Sequence, residues 1–126
     1  MLLRWRTELI ATPPGGAPTA EQQAQVAQWT DLARQDLEAR RLVEPPGENA
    51  VARLKAIRSL DPDNSFAREQ LDNLGQFFHD ESRAAFVQGD VRTGVQKLEQ
   101  GLLISPEHPS LLALREEVRA RMDKPE

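Results

Sequence analysis

A short phrase occurs twice in this chain and frames its middle. Leu60-Asp61-Pro62-Asp63-Asn64 opens the segment, and Ile104-Ser105-Pro106-Glu107-His108 closes it. In each, an apolar residue is followed two positions on by proline, which has no amide proton to donate and whose ring clashes with the turn before it. A helix running into either phrase must stop there. Between them lie a long apolar pattern of helical period, the turn Gly89-Asp90 and a shorter helical pattern. A chain punctuated this way is restricted to helical hairpins in series.

Extending the same reading outwards predicts five helices. The first is expected from about 20 to 42, with Thr19 as N-cap, Gln22 completing a capping box, and Val26, Trp29, Leu32, Ala33, Leu37 and Ala39 as apolar positions; Pro45-Pro46-Gly47 ends it. The second fits 48–60, where Ala50, Leu54 and Ile57 share one face. The third and longest fits 65–88, with Ala67, Leu71, Leu74, Phe78 and Ala85 on one face and Gly75 inside, which points to a kink or a close helix crossing. The fourth fits 91–104, where Gly94 and Gly101 flank Leu98 and so imply a closely approaching neighbour. The fifth fits 110–122, with Leu111, Leu114, Val118 and Met122 as its stripe and Arg115, Glu116, Glu117, Arg119 and Arg121 turned to water. Short turns between such helices make an all-α antiparallel stack.

Composition narrows the function classes. At 126 residues the chain has one domain's length, divided into an arm and Pro/Gly linker at 1–18, a helical domain at 19–122 and a tail at 123–126. Aromatics make up 5% with no tyrosine, so the core must come mainly from Leu, Ala and Val. The formal net charge of −4 argues against nucleic acid, whose phosphates require a concentrated positive field. With no cysteine, disulfides, thiolate nucleophiles and thiolate metal sites are excluded. Residues 1–12 alternate weakly, as Leu3, Trp5, Thr7 and Leu9 against Arg4, Arg6 and Glu8, without a second strand to pair with. They are read as a terminal arm, or as a juxtamembrane segment, which is the one route to membrane contact. The chain is expected to be cytoplasmic as it stands, or the soluble periplasmic domain of a longer anchored protein.

No reactive constellation stands out. His79-Asp80-Glu81 invites a metal or acid–base reading, but consecutive helical residues point about 100° apart and cannot converge on one ion. His108 lies in a turn between two prolines. Both histidines are read as solvated surface. There is no phosphate-binding glycine loop, nucleophile elbow or His-Glu-x-x-His motif, so no catalytic residue, metal, cofactor or small-molecule substrate is expected. Arg34, Arg40, Arg41, Arg53, Lys55 and Arg58 form a basic cluster, read as a solvated face with helix salt links such as Glu38 to Arg41 or Arg34, with attraction of an acidic partner as the other reading.

These residues resemble the tetratricopeptide repeat family, whose unit of about 34 residues pairs two helices and ends on proline. Residues 75–108 align as one unit: Phe78 at the large early position, Ala85 second in the same helix, Gly89-Asp90 in the turn, Gly94 and Gly101 at the small positions, Leu98 between them, Pro106 closing. Residues 31–64 align through Ala50, Leu54 and Pro62, although Ile57 stands where a small residue belongs. Pro62 and Pro106 are 44 positions apart, so the third helix exceeds the family unit, and the Trp-Leu-Gly-Tyr signature is missing. The resemblance covers residues 20–122, with the last helix as a cap. It implies a non-catalytic adaptor or scaffold of bacterial type that binds a partner protein or peptide in a concave groove. By family position that groove would hold Gln76, His79, Arg83, Phe86 and Val87 on the third helix, and Leu32, Gln35, Ala39 and Leu42 on the first. Arg83 alone does not make the family's basic clamp for C-terminal carboxylates. The other reading is a structural homo-oligomerisation domain of a larger envelope or assembly protein.

Overall fold

The computed structural model describes residues 18–123; the N-terminal arm, nearly all of the linker and residues 124–126 lie outside the described residues. Five helices carry the chain: α1 Ala20–Glu38, α2 Ala50–Leu60, α3 Ser65–Val87, α4 Val91–Ile104 and α5 Pro109–Met122. Among the described residues there is no strand, so the chain is all-α as expected. It divides into two compact units, Met1–Ser65 and Phe66–Glu126. No described helix is long and apolar enough to cross a membrane.

In the first unit, α1 opens on the expected capping box: the Gln22 amide donates to Thr19 Oγ1 (3.1 Å), and the Thr19 amide donates to Gln22 Oε1 (2.9 Å). Its end differs from expectation. The helix stops at Glu38 rather than running to Leu42, well before Pro45. Arg40 takes a left-handed conformation (φ 61°), its amide donates to the Leu37 carbonyl, and the Arg41 amide donates to the Asp36 carbonyl at 2.8 Å. This is the paired hydrogen-bond closure that usually recruits glycine; an arginine there adds about 1 kcal/mol of backbone strain. No glycine marks the spot, and the apolar period continues through Leu42, so pattern alone extends the helix too far.

What holds this closure is a charge cluster. Asp36 is buried, and its two carboxylate oxygens receive Arg41 Nε at 2.9 Å and Arg53 Nε at 3.2 Å. The acid that Arg41 meets is therefore Asp36, not Glu38. The loop after α1 then turns back on α2: the Ala50 and Val51 amides donate to the carbonyls of Arg41 and Leu42. Asn49 caps α2 by accepting from the Ala52 amide, and its own amide group donates to the Pro45 carbonyl. Val26, Ala33, Ala50, Val51, Leu54 and Ile57 are the buried apolar residues of this unit, with α1 packed on α2.

In the second unit the glycines explain how closely the helices approach. A Cβ on Gly94 would fall 2.7 Å from the Phe86 ring, and one on Gly101 would fall 2.8 Å from Leu111 Cδ2 and 3.2 Å from Phe78 Cβ. The small positions of α4 thus receive α3 on one side and α5 on the other. Leu98, Leu111 and Leu114 form the buried cluster, with Leu102 and Val118 against it. Ser82, fully buried, donates from Oγ to the Gly94 carbonyl at 2.6 Å, tying α3 to α4 with a hydrogen bond that the apolar pattern does not announce. Gly75 also has a close neighbour: its Cβ would meet the His108 ring at 2.9 Å. His108 is therefore buried, at 5% exposure, and the solvated reading of this histidine is corrected. The turn between prolines folds its ring under α3, where glycine leaves room; Nε2 lies 3.6 Å from Asp72 Oδ1.

Candidate functional site: a cleft between α3 and α5

The groove residues expected on α3 fall on one stripe, since 76, 79/80, 83 and 86/87 recur at helical spacing. They divide into two groups. At the first, Gln76 Nε2 donates to Asp80 Oδ1 at 2.9 Å and His79 Nδ1 lies 3.0 Å from the same oxygen. The hydrogen bond with His79, followed by that with Gln76, holds the Asp80 carboxyl below the ordinary aspartate range. Replacing His79 with alanine is therefore expected to raise the Asp80 pKa, read from its side-chain carboxyl resonance in an acid titration. The sign follows from linkage: a depressed carboxylate adds stability above its unfolded pKa and loses it as pH falls through the folded one. An unchanged titration in the variant would show that His79 does not hold this carboxylate.

The second group lies at the C-terminal end of α3. Arg83, Phe86 and Val87 face Leu114, Glu117, Val118, Arg121 and Met122 of α5, with Val91 of α4 beside them, around a cleft of about 300 Å³. The α5 residues again share one stripe, at 114, 117/118 and 121/122. The floor is apolar. Arg83 Nη1 donates to Glu117 Oε2 at 3.3 Å, an ion pair between α3 and α5 with both side chains about half exposed. Such a pair contributes only about 0–1 kcal/mol, so it is easily rearranged. Of five large apolar side chains that stand exposed among the described residues, three are here: Val87 (84%), Val91 (51%) and Met122 (61%). Phe86, half-buried, packs its ring on Gly94 and supplies the wall.

Three of the expected groove residues, Arg83, Phe86 and Val87, are thus brought together, and Gln76 and His79 lie further along the same stripe. Gln35 is exposed on α1 in the other unit. Leu42, expected on the helix, lies instead in the loop after it, half-buried, with its carbonyl taken by Val51. Ala39 is the C-cap of α1 rather than a helix-face residue. The α5 half of the cleft departs from expectation: Met122, a member of the apolar stripe, stands 61% exposed, and Glu117 and Arg121, expected on the side turned to water, line the cleft with it. The signal was present in the apolar stripe itself, which continues to the end of α5 although no described helix follows to cover it.

Among the described residues no group of three His, Asp or Glu side chains is placed to hold a metal ion. No protein-family model matches the chain, and neither a curated protein nor a solved structure matches it.

Proposed function

We propose that this chain is a non-catalytic, tetratricopeptide-like adaptor that docks a partner protein through the cleft between α3 and α5. One observation carries the reading: three exposed apolar side chains converge on a concave surface whose interhelical polar link, among the described residues, is a weak, solvent-exposed ion pair. Apolar residues scattered singly on a surface need no explanation, whereas a contiguous patch marks an interaction site. The placement of the cleft between the outer helices of a three-helix run supports the repeat-like reading, because solenoid repeats use that face for binding. The polar cluster of Gln76, His79 and Asp80 would border the same surface.

The test uses a photo-reactive residue in place of Val87, with the same residue in place of Leu103 as an exposed apolar control on α4. A protein captured at Val87 and not at Leu103 is then purified and bound to the unmodified chain. Val87→Asp is expected to weaken that complex by about tenfold or more, the cost of setting a charge against a desolvated contact. At 84% exposure, Val87 contributes little to the fold, so the variant should retain its circular dichroism spectrum. Capture that is the same at both positions, or binding indifferent to Val87→Asp, overturns the docking reading.

A further inference from the structure

We infer that the occupant of this cleft is a partner segment that sets one large apolar side chain beside a carboxylate, and that Arg121 reads the carboxylate. The inference rests on the docking reading above and concerns what the cleft selects.

Space decides the first half. A cleft of about 300 Å³ is small for a docking surface. An engineered cavity of about 150 Å³ is enough to hold benzene, so this one takes a single bulky side chain and some of its backbone, not a whole helix face. Phe86, Val87, Val91, Leu114, Val118 and Met122 offer that side chain no hydrogen-bonding group, so the inserted part is apolar.

Charge decides the second half. Among the described residues three ionised groups line the cleft, and two of them, Arg83 and Glu117, already pair with each other. Among the described residues Arg121 has no ion-pair partner, so their lining carries a net positive charge on a chain whose overall charge is −4. The nearest acid in sequence to Val91 is Asp90, whose carboxylate is turned back to accept from the Thr93 amide at 3.1 Å. Both α3 and α5 end at this side, and the carbonyl end of a helix favours cations. At α3, however, the Gln88, Gly89 and Asp90 amides donate to the carbonyls of Ala84, Ala85 and Phe86, and at α5 Arg121 stands in the last turn. An ammonium entering the cleft would have to displace Arg83 from Glu117, the one carboxylate among the described lining residues, while standing close to the charge of Arg121. A carboxylate would meet Arg121 directly and could draw Arg83 from Glu117, since that pair is weak.

The experiment titrates the isotopically labelled full chain with 3-phenylpropanoate and, separately, with its uncharged amide, 3-phenylpropanamide, following backbone amide resonances. Both probes carry the same ring and differ only in the carboxylate. Shifts are expected at 83–91 and 114–122, with the acid bound about fivefold more tightly than the amide, as suits one charge-assisted contact at a wet rim. In Arg121→Gln the acid should fall to the level of the amide while the amide is unaffected. Equal binding of acid and amide by the unmodified chain overturns the selection by charge and leaves the docking cleft standing. Shifts from neither probe at these positions overturn both. Movement of the same resonances with chain concentration alone would assign the cleft to a second copy and would overturn the separate partner.

Discussion

Leu111→Ala is expected to destabilise the protein by about 3 kcal/mol, since truncating a fully buried leucine loses its transfer energy and leaves a cavity that neighbours fill only in part. Leu111 is fully buried, lies in the cluster with Leu98 and Leu114, and covers Gly101 so closely that no further atom fits between them. The measurement is urea unfolding followed by helical circular dichroism. Leu103→Ala, on the neighbouring helix but 67% exposed, should change stability by less than about 0.5 kcal/mol. Close contact also predicts a coupling. Gly101→Ala alone sets its new methyl 2.8 Å from Leu111 Cδ2 and should destabilise, by about 1–3 kcal/mol as overpacked cores do. In the Leu111→Ala background the obstructing atoms are gone. The same Gly101→Ala change should then cost markedly less, because contacting sites are not additive. Phe78 Cβ, 3.2 Å away, limits the relief to a partial one. A loss below about 1 kcal/mol for Leu111→Ala would mean that the site collapses freely and that the glycines are not there to admit this side chain.

Asp36→Ala is expected to cost about 2–3 kcal/mol. Removing one partner of a buried ion pair typically costs about 3–5 kcal/mol because the remaining charge is stranded. Here the stranded groups are Arg41, whose side chain is 43% exposed, and Arg53, at 21%, so water recovers part of the loss. The loss has a structural address as well. Asp36 holds Arg41 through both its backbone carbonyl and its side chain, and the carbonyls of Arg41 and Leu42 receive the first amides of α2. Hydrogen exchange at the Ala50 and Val51 amides should therefore accelerate in Asp36→Ala more than exchange in the middle of α4. Glu38→Ala, at an exposed position on the same helix, should do neither. Equal effects of the two substitutions would show that the Asp36 cluster does not anchor the loop.

The prolines, glycines and apolar spacing determined the class and number of helices, because a helix must stop where an amide is missing and must bury a face where its apolar residues recur. The starts of α1 and α4 follow directly: Thr19 and Asp90 cap their helices through their own side chains, an interaction spanning only three residues. The close approach at Gly94 and Gly101 was legible for a similar reason, since two small residues one heptad apart leave a trough on one face. The α3 half of the cleft, Arg83, Phe86 and Val87, was among the positions that the tetratricopeptide resemblance implied for a groove. What sequence did not disclose depends on partners distant along the chain. Asp36 reads as one more solvent-facing acid until Arg53, seventeen residues on, reaches it. The end of α1 at Glu38 is set by that cluster and by a left-handed arginine, a conformation no spacing rule assigns to it. His108 reads as turn surface until Gly75 opens the space that buries it. Met122 and Arg121 come to line a cleft only when α5 packs beside α3, because which residues of a helix remain exposed is decided by what stands next to it, and a one-dimensional pattern carries only the period of its faces.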